Sequence, residues 1–429
     1  RGSIPRLTLE NDIDAFLIPS IWPETFSYTT EEIMKMGMPV MCFDIGAPAE
    51  RVKKYEKGII IPKISATSVY ETITRNQVIK ECCNKKINTQ KILFVVQEVT
   101  FSSRYRIDHL REQLIRKGIS SDCVSIKDVK KCNLKQYNSV VAYRISDFDK
   151  LKRLKKKVQK LNKNIFYDID DYIFNYEDIK DIGFLKGKEY RNYENYTKLI
   201  KSCMTLCDGY IVSTLSLKKV IEEQFPGKMV VINRNVASME MTIASLTVDK
   251  VEKDYITLGY FSGTKTHNDD FESIKEELLD IMRKNVNVHL LIGGQIELPA
   301  EFNEVKDQIE TFKFVAWQDL PQLIAKADIN LMPLENMMFH ECKSENKWME
   351  AALVNVPTIA SWNNELATVI KDGVDGFLCK NSEEWTNKLQ QLVKNENLRK
   401  QIAHDAHERV IKEYMTNDVE SEVFKILFN

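Results

Sequence analysis

The sequence predicts an α/β fold built from doubly wound, parallel sheets, and three observations predict it. Short apolar runs of strand length alternate with helix-length stretches from residue 91 onward. One strand–loop–helix–strand signature occurs twice: Glu32, Pro39 and Gly58 return as Glu350, Pro357 and Gly376, a constant 318 positions later. The 429 residues, 43% of them apolar, suffice for two or three packed domains.

In the first copy, Ala15 to Ile18 is a buried strand that stops at Pro19-Ser20. Phe26 to Met36 has helical spacing, Gly37 supplies a C-terminal stop, and Pro39 to Phe43 returns as a strand. Upstream, Asp14-Ala-Phe-Leu-Ile-Pro19 pairs with Asp328-Ile-Asn-Leu-Met-Pro333 at an offset of 314, which places a four-residue insertion in the second copy's loop. Matched flanks around one insertion indicate duplicated architecture. The first copy lacks the long lead-in of the second, so the chain is expected to begin inside a domain, and 4–85 is read as the C-terminal half of a preceding unit.

Residues 76–90 are polar and read as a join. A domain over 90–245 follows, with strands at Lys91–Val96, Ser139–Tyr143, Asn164–Tyr167, Gly209–Val212 and Met229–Ile232. Ser102-Ser103 could cap its first helix, which carries Ile107, Leu110 and Leu114, and a basic helix runs from Asp147 to Leu161. The pattern lapses at 237–254, read as a hinge. A further domain, 254–400, opens with the strand Ile256–Phe261, a helix from Asp269 to Arg283, and strands at Val288–Ile292 and Phe312–Val315, before the second copy of the repeat. Amphipathic helices close the chain over 401–429.

A net charge of −1 excludes a general nucleic-acid binder. Nine scattered cysteines without a C-x-x-C pair indicate a reducing compartment, and Cys203 with Cys207, one turn apart and without a nearby His, read as packing. No apolar run reaches the length of a membrane span and no signal peptide is visible, so a cytoplasmic protein, soluble or peripheral, is expected.

The loop and helix of the first copy place Glu24 and Glu32 seven residues apart, so two carboxylates can face one crevice at a helix N-terminus. Paired acceptors suit a hydroxyl-rich ligand. This spacing, with Gly37-Met-Pro39-Val behind it, resembles the E-x7-E motif of the retaining nucleotide-sugar glycosyltransferases of family 4. The resemblance implies the GT-B fold: two facing Rossmann-like doubly wound domains, here with a partial Rossmann-like domain at the N-terminus. It also implies that the second Glu of the motif binds the nucleotide ribose and the first the donor sugar. Without its own partner half, the Glu24/Glu32 copy is expected to be degenerate and inactive.

The second copy departs from the motif. Register puts Cys342 where Glu24 stands, leaving Glu341 or Glu345 to stand in for the acid. Its stretch Lys343-Ser-Glu-Asn-Lys347-Trp-Met-Glu350 is similar to the K-S-E-x-K-W-x-E pattern of members that build bacterial O-antigen and capsule polysaccharide. The resemblance implies donor binding by Lys343, Lys347 and Glu350, the lysines meeting the diphosphate. Phe261-Ser-Gly-Thr-Lys-Thr-His267 occupies the first turn of the donor domain. There Gly263 admits phosphate to the backbone, Ser262 and Thr264 offer hydroxyls, and His267 is either a phosphate donor or a loop residue. Trp317 either stacks on the base or belongs to the core.

In the acceptor domain, Asp168-Ile-Asp170 mimics a metal-binding D-x-D motif. The resemblance to GT-B enzymes argues against a metal, because cationic side chains and helix N-termini hold the diphosphate there. No metal or other cofactor is expected. Asp170 or Asp171 could orient the acceptor or take its proton, or else cap the next helix, while Arg106 and Arg144 are candidate acceptor contacts. The basic helix Lys150–Lys160 either meets an anionic membrane or is simply exposed. The sum is a retaining glycosyltransferase that moves a sugar from a nucleotide-diphosphate sugar to a glycan or lipid-linked glycan, at the inner membrane face. Rival readings are a sugar-nucleotide 2-epimerase and a non-catalytic glycan-binding scaffold.

Overall fold

The computed structural model describes residues 8, 13–79, 90–98, 103–180, 188–246, 248, 253–263, 268–416 and 421–428. The chain divides into two compact units, 1–89 with 115–119, and 90–114 with 120–429.

The first unit carries a parallel sheet ordered β1 (Phe16–Ile18), β2 (Val40–Phe43), β3 (Gly58–Ile61). Ser27 caps the helix Tyr28–Lys35 through its hydroxyl, and Gly37 ends it in the left-handed region at φ +67°.

The second unit holds two six-stranded parallel sheets. The first lobe contains β4 (Lys91–Val96), β5 (Ser120–Ser125), β6 (Ser139–Tyr143), β7 (Asn164–Ile169), β8 (Gly209–Val212) and β9 (Met229–Ile232), ordered β5-β4-β6-β7-β8-β9. The second lobe contains β10 (Ile256–Ser262), β11 (Val288–Gly294), β12 (Ile309–Phe312), β13 (Ile329–Met332), β14 (Thr358–Ser361) and β15 (Phe377–Cys379), ordered β12-β11-β10-β13-β14-β15. Strand order reverses between β4 and β6 in one lobe and between β10 and β13 in the other. In open sheets of this kind ligands bind outside the carboxyl ends of the strands at that reversal.

The repeat is structural as well as sequential. The helix Asn346–Leu353 and strand β14 match Tyr28–Lys35 and β2 residue for residue at the 318 offset. Asn355, the counterpart of Gly37, also adopts a left-handed backbone at φ +55°. Gly58 and Gly376 share a further constraint: a Cβ on Gly58 would lie 1.9 Å from Val52 O, and one on Gly376 2.8 Å from Ile370, the counterpart of Val52.

Four sequence expectations about the elements are corrected. β5 was not anticipated, because Ser-Ser-Asp-Cys-Val-Ser lacks apolar alternation and lies at a half-buried sheet edge. β12 ends at Phe312 rather than beginning there, leaving Phe314 half-exposed beyond the strand. The helix expected over Asp269–Arg283 is two, Asn268–Glu272 and Lys275–Lys284, with Ile274 outside helical geometry between them. Within the stretch read as a hinge, Met239–Leu246 is a helix whose start is tied by the Ser238 hydroxyl to the Met241 N–H. Among the described residues, no helix is long and apolar enough to cross a membrane. Cys203 and Cys207 are fully buried in the apolar core of the first lobe.

After the long helix Glu396–Glu413 the chain returns to the first lobe. Ala237 and Met415 form a parallel bridge, the Thr416 hydroxyl donates to Glu112, and the Ser139 hydroxyl donates to Leu427 O at 2.9 Å. Val423, Ile426 and Leu427 are buried.

Candidate active site

The four strands flanking the two order reversals carry the candidate residues. Arg104, Tyr105 and Arg106 follow β4, Arg144 follows β6, Ser262 ends β10, and the segment Glu335–Glu350 follows β13. The helix after β4 opens as a π-helical turn, Arg104–Asp108, a rare geometry concentrated at functional sites, and Ser103 makes no side-chain cap there.

Within the segment after β13, four consecutive residues are each fixed by a residue of the first lobe. Thr214 donates to Cys342 O at 3.2 Å and Lys343 Nζ lies 2.9 Å from Asp171 Oδ1. Asn235 donates to the Ser344 hydroxyl at 3.1 Å, and Arg234 reaches Glu345 at 3.5 Å and Glu365 at 3.0 Å. Cys342 and Phe339 pack into the same apolar cluster as Tyr172 and Leu217. Cys342 stands in place of an acid because its side chain is buried in the core of the facing lobe.

This geometry fixes the surroundings of three expected site residues, Glu345, Glu341 and Arg106. Glu345 has no exposed surface; its Oε1 lies 3.5 Å from Arg234, and its Oε2 has no hydrogen-bond partner among the described residues. Glu341 is likewise engaged, accepting the Asn364 N–H at 3.0 Å. Arg106, expected to contact the acceptor, is fully buried. It forms a two-pronged pair with Asp168 at 2.8 and 3.0 Å and donates to Asn233 O and to Asn235 Oδ1. That pair engages both carboxylate oxygens of Asp168.

Arg144 has φ +44°, a strained backbone for a residue with a Cβ. From there its guanidinium spans Asp170 at 2.6 Å and Asp171. Burial opposes charge on Asp171, but Lys343 and Arg144 outweigh it and hold its carboxyl well below the usual carboxylate range. Such a group is a weak proton acceptor at neutral pH. Asp171 therefore anchors Lys343, and Lys343 is already paired.

Lys347 differs. Its ammonium has no hydrogen-bond partner among the described residues and lies 4.4 Å from the centre of the Tyr260 ring. Burial pushes its pKa down to about 8, against the pull of Asp270 and Glu350. Asp270, Glu335 and His340 stand close by, with one ligand atom of each within 4.8 Å of the others, and His340 Nε2 is 3.4 Å from Asp270 Oδ1. Burial also depresses the His340 imidazole, which donates its Nδ1–H to Glu335 O at 3.1 Å.

Glu350 is met from the other lobe. Its Oε1 accepts from Arg104 at 2.9 Å and from the Tyr105 hydroxyl. The Arg104 guanidinium lies 4.7 Å from the Tyr105 ring centre and 5.1 Å from that of Trp317, so it spans both rings. Neither Arg104 nor Tyr105 was singled out from the sequence; the unbroken Ser-Ser-Arg-Tyr-Arg run after a strand was the available signal. Ser262 is buried at the end of β10 and Gly263 follows it, while Thr264 and His267 lie outside the described residues. In the first unit Glu24 and Glu32 are partly exposed, and the Glu24 carbonyl accepts the Ala47 N–H at 3.0 Å.

Residues 256–395 match a family model described as glycosyl transferases group 1, and residues 4–81 match a second model of the same description. Among solved structures, HepE from Anabaena in complex with UDP is 13% identical over 76% of this chain and 96% of its own, with a TM-score of 0.54. The same protein with UDP and glucose gives 14% identity, the same coverage and a TM-score of 0.51. Sucrose-phosphate synthase from Thermosynechococcus elongatus gives 12% identity, 76% and 95% coverage and a TM-score of 0.53. No curated protein matches the sequence. Two facing parallel lobes with this strand order define the GT-B fold. With the matched segments, they make the chain a glycosyltransferase.

Proposed function

We propose that this glycosyltransferase takes its sugar from a nucleoside-diphosphate sugar and transfers it, with retention at the anomeric carbon, to a bacterial surface glycan or lipid-linked glycan. The observation that carries the donor reading is Lys347, a buried ammonium at the strand-order reversal of the second lobe with no hydrogen-bond partner among the described residues. A buried unpaired cation is costly, and an arriving diphosphate supplies the missing acceptors. Glu350, on the same helix, is the ribose ligand in this reading. In this reading Ser262 and Gly263 serve the phosphates, with Thr264 and His267 assigned to them from the sequence alone, and Trp317 serves the base. HepE, crystallised with UDP, supports the same donor class.

In the reaction the positive groups stabilise the departing diphosphate while the acceptor attacks on the face it leaves. Asp170, paired with Arg144 at the end of β6, is the first-lobe carboxylate proposed to orient the acceptor hydroxyl. No metal is assigned a role, although Asp270, Glu335 and His340 could chelate one. The test is a thermal-shift panel of UDP, GDP, CDP, ADP and dTDP with and without EDTA. One diphosphate at 100 times its Kd is expected to stabilise the protein by about 2.7 kcal/mol. EDTA is expected to leave that shift unchanged. Absence of a shift with every diphosphate would favour the scaffold reading.

Peripheral membrane contact belongs to the same proposal. The helix Phe148–Gln159 buries Leu151, Leu154 and Val158 and turns Lys152, Arg153, Lys156 and Lys157 outward. Co-sedimentation with anionic vesicles is expected at low ionic strength and lost in high salt. Equal binding to neutral vesicles would remove the electrostatic basis.

A further inference from the structure

The contact made by Arg104 and Tyr105 on Glu350 joins residues from opposite lobes. Its geometry is one-sided. Both donors converge on Oε1, and among the described residues no donor reaches Oε2. An arginine that simply neutralised this carboxylate would favour the two-pronged pairing seen between Arg106 and Asp168. Arg104 instead uses a single nitrogen and shares its target oxygen with a phenol. Side-chain exposure is 11% for Arg104 and 15% for Glu350, so the pair is sheltered but the carboxylate is not sealed.

We infer that Arg104 and Tyr105 are positioning residues for the donor: they hold one oxygen of Glu350 so that the other is presented to the ribose hydroxyls. This rests on the donor reading above and adds to it two first-lobe residues and a consequence. Ribose recognition depends on the two lobes being together, because half of the device lies on each. Tyr105 suits the task. Burial and the Glu350 charge push its hydroxyl far above the ordinary range, so it remains a donor at any working pH. Arg104, spanning the Tyr105 and Trp317 rings, links the presented carboxylate to the residue assigned to the base.

The test compares the tightest diphosphate of the panel with its 2′,3′-dideoxy counterpart by calorimetry, in wild type, Tyr105→Phe, Arg104→Lys and Glu350→Gln. Wild type is expected to prefer the ribonucleotide by about 10- to 100-fold, the range of hydrogen bonds to a charged group. In Y105F that ratio is expected to fall to about 3-fold or less, with E350Q giving a similar ratio and the double variant Y105F/E350Q no further loss. A loss of affinity in Y105F that leaves the ratio unchanged would mean a structural role only. Tighter binding in Y105F would mean that the contact blocks the carboxylate, and either outcome overturns the inference. R104K gives the same readout should Y105F fold poorly. If wild type binds none of the diphosphates, the donor reading itself falls; if wild type shows a ribose preference that both first-lobe variants retain, only the inference falls.

Discussion

Replacing Lys347 with Met is expected to make the protein more stable and nearly inactive. The substitution keeps an unbranched side chain against Tyr260 while removing a buried ammonium that has no hydrogen-bond partner among the described residues, the circumstance in which an apolar replacement is neutral or stabilising. The same change removes a charge-assisted contact worth about 1.5–3 kcal/mol to a bound diphosphate, or roughly 10- to 100-fold in affinity. The loss in kcat/KM is expected to be larger, on the order of 100- to 1000-fold, because charge on the departing diphosphate grows in the transition state.

The pH dependence has a definite sign. The folded-state pKa of Lys347 lies near 8, below its ordinary value. The destabilisation from its charge is therefore fully present below about pH 8 and is relieved as pH rises through it. The stability gap between K347M and wild type should narrow in the same window. Diphosphate binding needs the charged form, so wild-type affinity should fall above about pH 8, with proton uptake on binding there. Calorimetry in buffers of different ionisation enthalpy reads this directly; a flat profile, or one that K347M retains, would exclude Lys347 as the phosphate contact.

Replacing Arg106 with Leu is expected to cost about 3–5 kcal/mol, the range for leaving one member of a buried ion pair alone. Asp168 would remain in the core of the first lobe without its two guanidinium bonds. Urea unfolding should show the loss as a lower midpoint. The double variant R106L/D168L should recover much of it, because two apolar residues leave no uncompensated charge. Arg106 also fixes Asn235, which in turn holds Ser344, so the single variant should loosen the segment after β13 as well. An R106L protein as stable as wild type would show that Asp168 finds another partner or a proton at little cost.

Local order was the part of this structure most legible in the sequence. Periodicity identified β4, β6, β8 and β9 to the residue, and the repeat located the helix Asn346–Leu353 and its neighbours. The central strands among them follow from burial on both sheet faces, β9 from its continuous apolar run, and the repeated helix from a backbone stop, supplied by Gly37 in one copy and by Asn355 in the other. What failed was the direction of side chains whose partners lie far away in sequence. The sequence offers Glu345 as a stand-in acid and Arg106 as an acceptor contact, yet both side chains are fully buried. Their actual partners, Arg234 and Asp168, are set by how one lobe meets the other and by how the first lobe's core closes. Tyr105 and Glu350 are 245 positions apart, and no local pattern encodes that pairing. Two edge strands were the other weak point: β5 and β12, mostly half-buried, lack the apolar run that made the edge strand β9 legible.

The return of the chain to the first lobe bears on synthesis. Ser139 opens β6, in the interior of that lobe's sheet, yet its hydroxyl partner is Leu427 O, and the lobe's surface there is completed by Val423, Ile426 and Leu427. A ribosome reaches those codons long after it has released β4 to β9. The early lobe must therefore wait, partly uncovered, through translation of the whole later one, which makes it the stretch most in need of a chaperone during biogenesis.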